Sequence, residues 1–350
     1  MRTDVGKQKT LIGLLASHDH VETNNKLANA LERFCCQGQP KYRDKIDQFH
    51  FLITFGTFSR VIKGNEESRK DGVRPVSDST RDFLLPRTTV LPSGIDGGVT
   101  ILSYFITQKK CSIIWPFLSP LTSHWLTPEN LALMRLCDQW HVKRLMNTGS
   151  VDEWFNFEAD RDADRNLQTC PPSIVFGEDV IRGPAFMVQA EGWNGTHRIS
   201  IPTSLTMPHK TEDTTIALIA HDEMKPRMVD FAIDNEHILA RFGRILTTGT
   251  TGQAVANATH TLGPKIYRYH SGPKGGDIEI ATEILFGRCH VVVFLVDPLH
   301  SHAHIEDIRV VFGACMIQDH VRMLTNEMQA REWIERVARR KSMELTSDES

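Results

Sequence analysis

Along the chain, short apolar runs of strand length alternate with stretches whose apolar residues recur at helical spacing. In the C-terminal half the runs Thr215–Ala220, Arg244–Thr248, Lys265–His270, His290–Val296 and Arg322–Thr325 predict strands. Helices are expected at about Pro226–Ile238, Gln253–Thr259, Ile278–Phe286, Glu306–Ala314 and Ala330–Arg339. In the N-terminal half Thr10–Ala16, Phe49–Thr54, Thr88–Leu91, Ser112–Phe117 and Val142–Met146 play the strand part. Strand, helix and strand in succession imply an α/β fold, a parallel sheet with helices on both faces joined by right-handed connections. Loops that follow the strands then gather at one edge, where open α/β sheets bind ligands.

The two halves repeat one another. Leu11–Asp19 ends its apolar run in His18-Asp19, as Ile216–Asp222 ends in His221-Asp222. Ser93–Gly98 lines up with Ser271–Gly276, and Ser119-Pro120-Leu121 with Asp297-Pro298-Leu299, both at an offset of 178 residues. His141 and Trp154 pair with His320 and Trp333 at an offset of 179. Anchors in one order at nearly constant spacing mark two copies of a single unit. The expected architecture is therefore two tandem three-layer modules, residues 9–155 and 214–337, each with a five-stranded, mainly parallel sheet. Residues 156–213 are expected to link them through the charged run Glu158–Arg165, with a hairpin across Glu191–Gly195. The insert Lys63–Phe83 has the composition of a surface loop, and residues 338–350 are expected to form a flexible tail.

Composition narrows the partners. The 350 residues carry a net charge of −3 and a pI near 6.6. That balance supplies no electrostatic footprint for nucleic acid or an anionic membrane. No apolar run approaches the length that spans a bilayer, and Met1–Thr10 lacks the apolar core of a signal peptide, so a cytoplasmic location is expected. Seven cysteines, without metal-ligand spacing, read as reduced and partly buried thiols.

Polar groups cluster in the loops after the strands of the second copy. His221, Asp222 and Lys225 follow the first strand, and Thr248-Gly249-Thr250-Thr251-Gly252 the second. Ser271-Gly272-Pro273-Lys274-Gly275-Gly276-Asp277 follows the third, and Asp297, His302, His304 and Asp307 follow the fourth. A cationic amine, hydroxyls and backbone donors at a helix start suffice to hold one phosphate. Carboxylates and imidazoles beside it suit proton transfer. There is no P-loop and no Gly-x-Gly-x-x-Gly after the first strand, and the His300–His304 tract has no ligand partner at metal spacing. The expected chemistry is acid–base work on a small phosphorylated carbonyl compound, with no cofactor and no metal.

Taken together, Ala220-His221-Asp222-x-x-Lys225, Thr248–Gly252, Ser271–Asp277 and Asp297-Pro298-Leu299 with His304 and Asp307 resemble the methylglyoxal synthase family, over about residues 214–336. The resemblance implies elimination of phosphate from dihydroxyacetone phosphate through an enediolate to give methylglyoxal, a carbon–oxygen lyase reaction of a glycolytic bypass. By the same resemblance Asp277 is the base. His221 and His304 serve the enediolate oxygens, Asp222 and Asp307 orient them, and Asp297 lies close by. Lys225, Thr248, Thr250, Thr251, Ser271 and Gly272 hold the phosphate. One departure lies in the helix after Asp307, where the arginine of the family pattern is replaced by Gly313 or displaced to Arg309. Inorganic phosphate is expected to inhibit as product. The hexamers of the family imply a homo-oligomer of this chain, three chains making a pseudo-hexamer. The fold also resembles the regulatory domain of carbamoyl-phosphate synthetase, which makes a non-catalytic, phosphometabolite-binding regulatory protein the alternative.

Against that pattern the first copy has Val99 for Asp277, Glu22 for Lys225, Phe58 for Thr251, Ser119 for Asp297 and Leu126 for His304. It is expected to keep the frame and to be catalytically silent.

Overall fold

Each hydrophobic run expected to form a strand does so in a computed structural model of the chain. The structure describes residues 10–17, 20–36, 46, 48–119, 127–160, 188–190, 196–202, 205–297, 305–318 and 320–347. They divide into two units, Met1–Ile201 and Pro202–Ser350.

In the first unit, strands β1 (Thr10–Ala16), β2 (Phe49–Thr54), β3 (Thr88–Leu91), β4 (Cys111–Phe117) and β5 (Lys143–Arg144) are joined by β6 (Val188–Ala190) and β7 (His197–Ile199). The order is β5-β4-β1-β2-β3-β7-β6. This corrects the expectation of five strands. The hairpin placed in the linker adds to the free edge of β3, where β7 runs parallel to it and β6 returns antiparallel. An open edge has unpaired amides, and the hairpin covers them.

The longer helices of this unit are α1 (Val21–Cys36), α2 (Gly98–Thr107), α3 (Pro128–Gln139) and α4 (Thr148–Asp160). Alternation along the strands assigns the two faces. Ile12 and Leu14 pack with Leu27, Leu31 and Phe34 of α1 and with Val151, Trp154 and Phe155 of α4. Gly13 points the other way, and a Cβ there would stand 2.7 Å from Leu102 of α2. The insert is helical rather than a loop, with helices at Glu66–Lys70 and Asp78–Leu84. Asn65 and Ser77 cap them through the amides of Ser68 and Thr80, so the polar residues read as loop signals are helix N-caps.

The second unit has β8 (Thr215–Ala220), β9 (Arg244–Thr247), β10 (Ile266–Arg268), β11 (Val291–Leu295) and β12 (Arg322–Leu324), all parallel, in the order β10-β9-β8-β11-β12. Its helices are α5 (Lys225–Asp234), α6 (Gly249–Ala258), α7 (Gly276–Leu285), α8 (Ile305–Ile317) and α9 (Glu327–Ser347). Ile216, Leu218 and Ala220 meet Met228 and Phe231 of α5, Val255 of α6 and Ile334 of α9. On the opposite face Phe294 stacks edge-on against Phe312 of α8, with ring centroids 5.9 Å apart. Helix α9 continues to Ser347, through the segment expected to be a flexible tail. Glu–Arg pairs four residues apart, such as Glu327–Arg331 and Glu332–Arg336, support it.

Both sheets share the core order of third, second, first, fourth and fifth strands, so the repeat is structural as well as sequential. Among the described residues no helix is long and apolar enough to cross a membrane. Cys111, Cys137, Cys289 and Cys315 are free thiols. Burial pushes Cys111 and Cys315 up to about 12, which keeps them protonated and unreactive.

At the edge of the second sheet away from the candidate site, His290 ties three strands together. Its Nδ1 accepts the Thr215 N–H at 2.9 Å, its own N–H donates to the Thr215 carbonyl, and its carbonyl accepts from Arg322. Burial, helped by the nearby His320, holds the His290 imidazole below its ordinary value of 6.5. The unfolded chain therefore binds the proton first as pH falls, and stability drops as pH is lowered through about 6.5 toward the folded value. The urea midpoint of the wild type should fall between pH 7.5 and 5.5, and His290→Gln should flatten that fall. An equal slope in both proteins would remove His290 from the effect.

Candidate active site

In a doubly wound sheet the ligand crevice opens where the strand order reverses, here between β8 and β11. The loops after these two strands are locked together at that point. The His221 N–H donates to the Leu295 carbonyl at 3.2 Å, and the Asp297 N–H donates to His221 Nδ1 at 3.0 Å. Because Nδ1 accepts, a neutral ring carries its proton on Nε2. His221 is only 5% exposed and packs edge-on against Phe294. Its ring is thus fixed by the main chain of Asp297. Asp222, expected to orient it, is a surface residue whose carboxylate pairs with Lys225.

After β9, Thr248 precedes α6, its hydroxyl donates to that of Thr251 at 3.2 Å, and Thr251 reaches the Ala220 carbonyl at 3.4 Å. Both are buried, whereas Thr250 is exposed. The first turn of α6 thus joins a hydroxyl pair to the helix-start amides, a group suited to a phosphate. The loop after β10 is attached by the Gly249 N–H, which donates to the His270 carbonyl at 2.9 Å.

That third loop makes a tight turn through Gly272–Lys274 into Gly275, at φ 99°, and Gly276, the first residue of α7. A Cβ on Gly276 would lie 1.9 Å from the His270 carbonyl oxygen, so only glycine fits. The turn delivers Asp277 to the first turn of α7, 2% exposed. A buried carboxylate there is supported by the helix dipole and shielded from water. Asp307 is likewise buried, in the first turn of α8. Ser271 and Gly272 are half-buried, and Asp297 is half-buried beside His221. His302 and His304 lie outside the described residues.

A brace the sequence reading passed over is Glu279. Its buried carboxylate accepts the His270 N–H at 2.9 Å and the His270 Nδ1 at 2.9 Å, holding the strand end from which Ser271 departs. A glutamate two places past Asp277, in a helix that is otherwise largely buried, was the available signal. An isolated buried carboxylate demands a partner.

The first unit carries the matching positions. Ser17 stands where His221 stands: its N–H donates to Phe117 at 3.2 Å, and its hydroxyl accepts the Ser119 N–H at 2.8 Å. The sequence alignment through His18-Asp19, which lie outside the described residues, is therefore shifted by one. With Ser17 in register, Val21 rather than Glu22 answers to Lys225. Thr57 rather than Phe58 answers to Thr251, since Thr54 and Thr57 share a hydroxyl–hydroxyl bond of 3.0 Å, and Thr57 also accepts the Ala16 N–H. The turn is the same, with Gly97 at φ 89° and a Gly98 whose Cβ would lie 2.0 Å from the Pro92 carbonyl. It delivers Val99. The hydroxyl pair and the glycine turn persist, while the imidazole, the amine and the carboxylate are gone.

Comparison with known proteins places this arrangement. The chain is 39% identical over 111 residues to the methylglyoxal synthase of Oceanobacillus iheyensis, covering 32% of this chain and 76% of that protein. It is 41% identical over 124 residues to the methylglyoxal synthase of Clostridioides difficile strain 630, covering 35% and 87%. For that of Burkholderia vietnamiensis the figures are 43%, 35% and 92%. A crystal structure of methylglyoxal synthase from Elizabethkingia anophelis NUHP1 aligns with 28% identity over 36% of this chain and 79% of that one, at a TM-score of 0.33. No family model matches. The chain belongs to the methylglyoxal synthase family, and the similarity covers about a third of it.

Proposed function

We propose that the second unit converts dihydroxyacetone phosphate to methylglyoxal and inorganic phosphate without a cofactor. The observation that carries this reading is the His221 ring, locked by the Asp297 N–H on Nδ1 so that Nε2 is left to carry the ring proton, at the sheet edge that also holds Asp277. Asp277 takes a proton from the hydroxymethyl carbon, and the electron pair moves to the carbonyl oxygen to give an enediolate. His221, joined by His304, donates to its oxygens. Preorganised donors aimed at a developing oxyanion supply a large share of such catalysis.

The enediolate then expels phosphate. The former hydroxymethyl oxygen passes its proton to the enediolate oxygen and forms the aldehyde C=O, the double bond shifts to the carbon that carried the phosphate, and the C–O bond breaks toward phosphate. The remaining enol takes a proton at that carbon and releases its hydroxyl proton to become methylglyoxal. Elimination requires the breaking bond to lie out of the enediolate plane. Thr248, Thr250, Thr251, Ser271, Gly272 and Lys225 fix that torsion by clamping the phosphate, which is a positioning role. Asp222 holds Lys225, and Asp307 and Asp297 support the two histidines. Phosphate, as product, competes for the same clamp.

A coupled glyoxalase assay tests the reading: wild-type protein should form methylglyoxal from dihydroxyacetone phosphate, and none at any phosphate level overturns it. His221→Asn should lower kcat by about 10²–10³-fold, the usual loss for one oxyanion donor, with a smaller change in KM. The tautomer is read by 15N NMR. A proton on Nδ1 of His221 in the wild type contradicts the role given to its Nε2.

A further inference from the structure

The first unit, which has Val99 in place of the carboxylate, keeps a cavity of about 440 Å³ at the matching sheet edge. Thr54, Thr57, Ser93 and Gly94 line it, the same four positions that hold Thr248, Thr251, Ser271 and Gly272 in the second unit. What has changed is the charge and the walls. Leu15, Phe55, Val99 and Leu118 make one side apolar. Glu67 and Glu129 also line it, Glu67 on an exposed stretch of helix and Glu129 half-buried.

Arg60 supplies a cation from a new direction. It follows Phe58, which occupies the place of Gly252, and the backbone of Phe58–Lys63 there widens into a π-helix, a distortion common at functional sites. The Arg60 side chain is 7% exposed and lines the cavity, and it meets Asp71, itself half in water, through a 3.1 Å contact from Nη2. Its Nε is buried with no hydrogen-bond partner among the described residues. Asn24, fully buried and also lining the cavity, donates through Nδ2 to the Ser17 and His20 carbonyls and leaves Oδ1 without a partner among the described residues. Buried charge and buried acceptors left short of partners are costly unless a ligand completes them.

We propose that this cavity is a second ligand site, which binds a small organic phosphate with an apolar body and does not turn it over. Arg60 and the Thr54–Thr57 hydroxyls take the phosphate, Asn24 Oδ1 takes a hydroxyl or amide donor, and the apolar wall takes the body. Val99 stands where a base would act, so the bound ester survives. The phosphate role of the hydroxyl pair is shared with the reading of the second unit, but the site does not depend on lyase activity there.

Hydrogen–deuterium exchange of the full chain tests it, with phenyl phosphate and inorganic phosphate as probes. Segment 54–67 should be protected by phenyl phosphate at about tenfold lower concentration than by inorganic phosphate, as burial of an aromatic body implies. In Arg60→Met that protection should vanish while protection of segment 248–256 by inorganic phosphate remains. Unchanged exchange of 54–67 in the wild type, or equal protection in wild type and variant, overturns the proposal. If Arg60→Met alters exchange of the first unit without ligand, Arg60→Lys decides: a midpoint at higher phenyl phosphate concentration supports the site, and an unmoved midpoint refutes it. Protection at 54–67 without protection at 248–256 counts against the phosphate clamp of the second unit and leaves this site standing.

Discussion

Asp277→Asn is expected to lower kcat for methylglyoxal formation by roughly 10³-fold, within the range set by loss of a general base, while leaving KM within about a factor of two. The amide is isosteric and fits the same place in the first turn of α7, so the phosphate clamp in the loops after β8, β9 and β10 is untouched. In the duplicate Val99 occupies the matching position, so no carboxylate stands there. A variant that keeps more than about a tenth of wild-type kcat would take the proton abstraction away from Asp277.

Gly276→Ala carries the second large effect, and its cause is steric. A methyl group 1.9 Å from the His270 carbonyl oxygen and 2.8 Å from its carbon meets backbone, which has no rotamer by which to yield. The turn must open, breaking the Gly276 N–H bond to the Ser271 carbonyl and moving Asp277 and Ser271 apart. A loss of about 3 kcal/mol in stability is expected, with a fall of about 10²-fold in turnover of the folded fraction, as a displacement near 1 Å at a reacting group produces. Gly98→Ala makes the matching clash with Pro92 in the first unit. It should cost similar stability and leave kcat of the folded fraction unchanged. If Gly98→Ala lowers kcat as Gly276→Ala does, the turn is not acting through Asp277. Urea titration and steady-state kinetics on the pair decide between these outcomes.

Much of this frame was legible before any coordinates. The strand runs, the duplication and the glycine turns all follow from local chemistry: continuous apolar runs between turn signals, and glycine where no Cβ fits. The boundaries of Thr215–Ala220 and Phe49–Thr54 came out residue for residue. Three things did not. Register at the end of β1 is decided by one main-chain bond, Ser17 to Phe117, and the look-alike His18-Asp19 pair obscured it. The seven-stranded first sheet depends on pairing between β3 and β7, which lie far apart in sequence. The orientation of His221 rests on a backbone amide at Asp297, 76 residues away, and no residue type announces an amide.

The same limit explains the misread insert. Asn65 and Ser77 are loop formers by composition, and they become helix caps only because helices follow them. Arg60 was passed over for a related reason. Within a run of Phe58–Lys63 it reads as an ordinary charged helix residue, and only the fold shows it buried against a cavity.

The reading as a whole turns on the fate of one enediolate. If the phosphate clamp of the second unit holds the C–O bond out of plane, phosphate leaves; if not, the proton returns and an aldose phosphate forms. The direct measurement is 1H and 31P NMR of dihydroxyacetone phosphate incubated with the purified full chain. Methylglyoxal and inorganic phosphate should accumulate in equal amounts with no glyceraldehyde 3-phosphate, and unreacted substrate or glyceraldehyde 3-phosphate as the product would contradict the account.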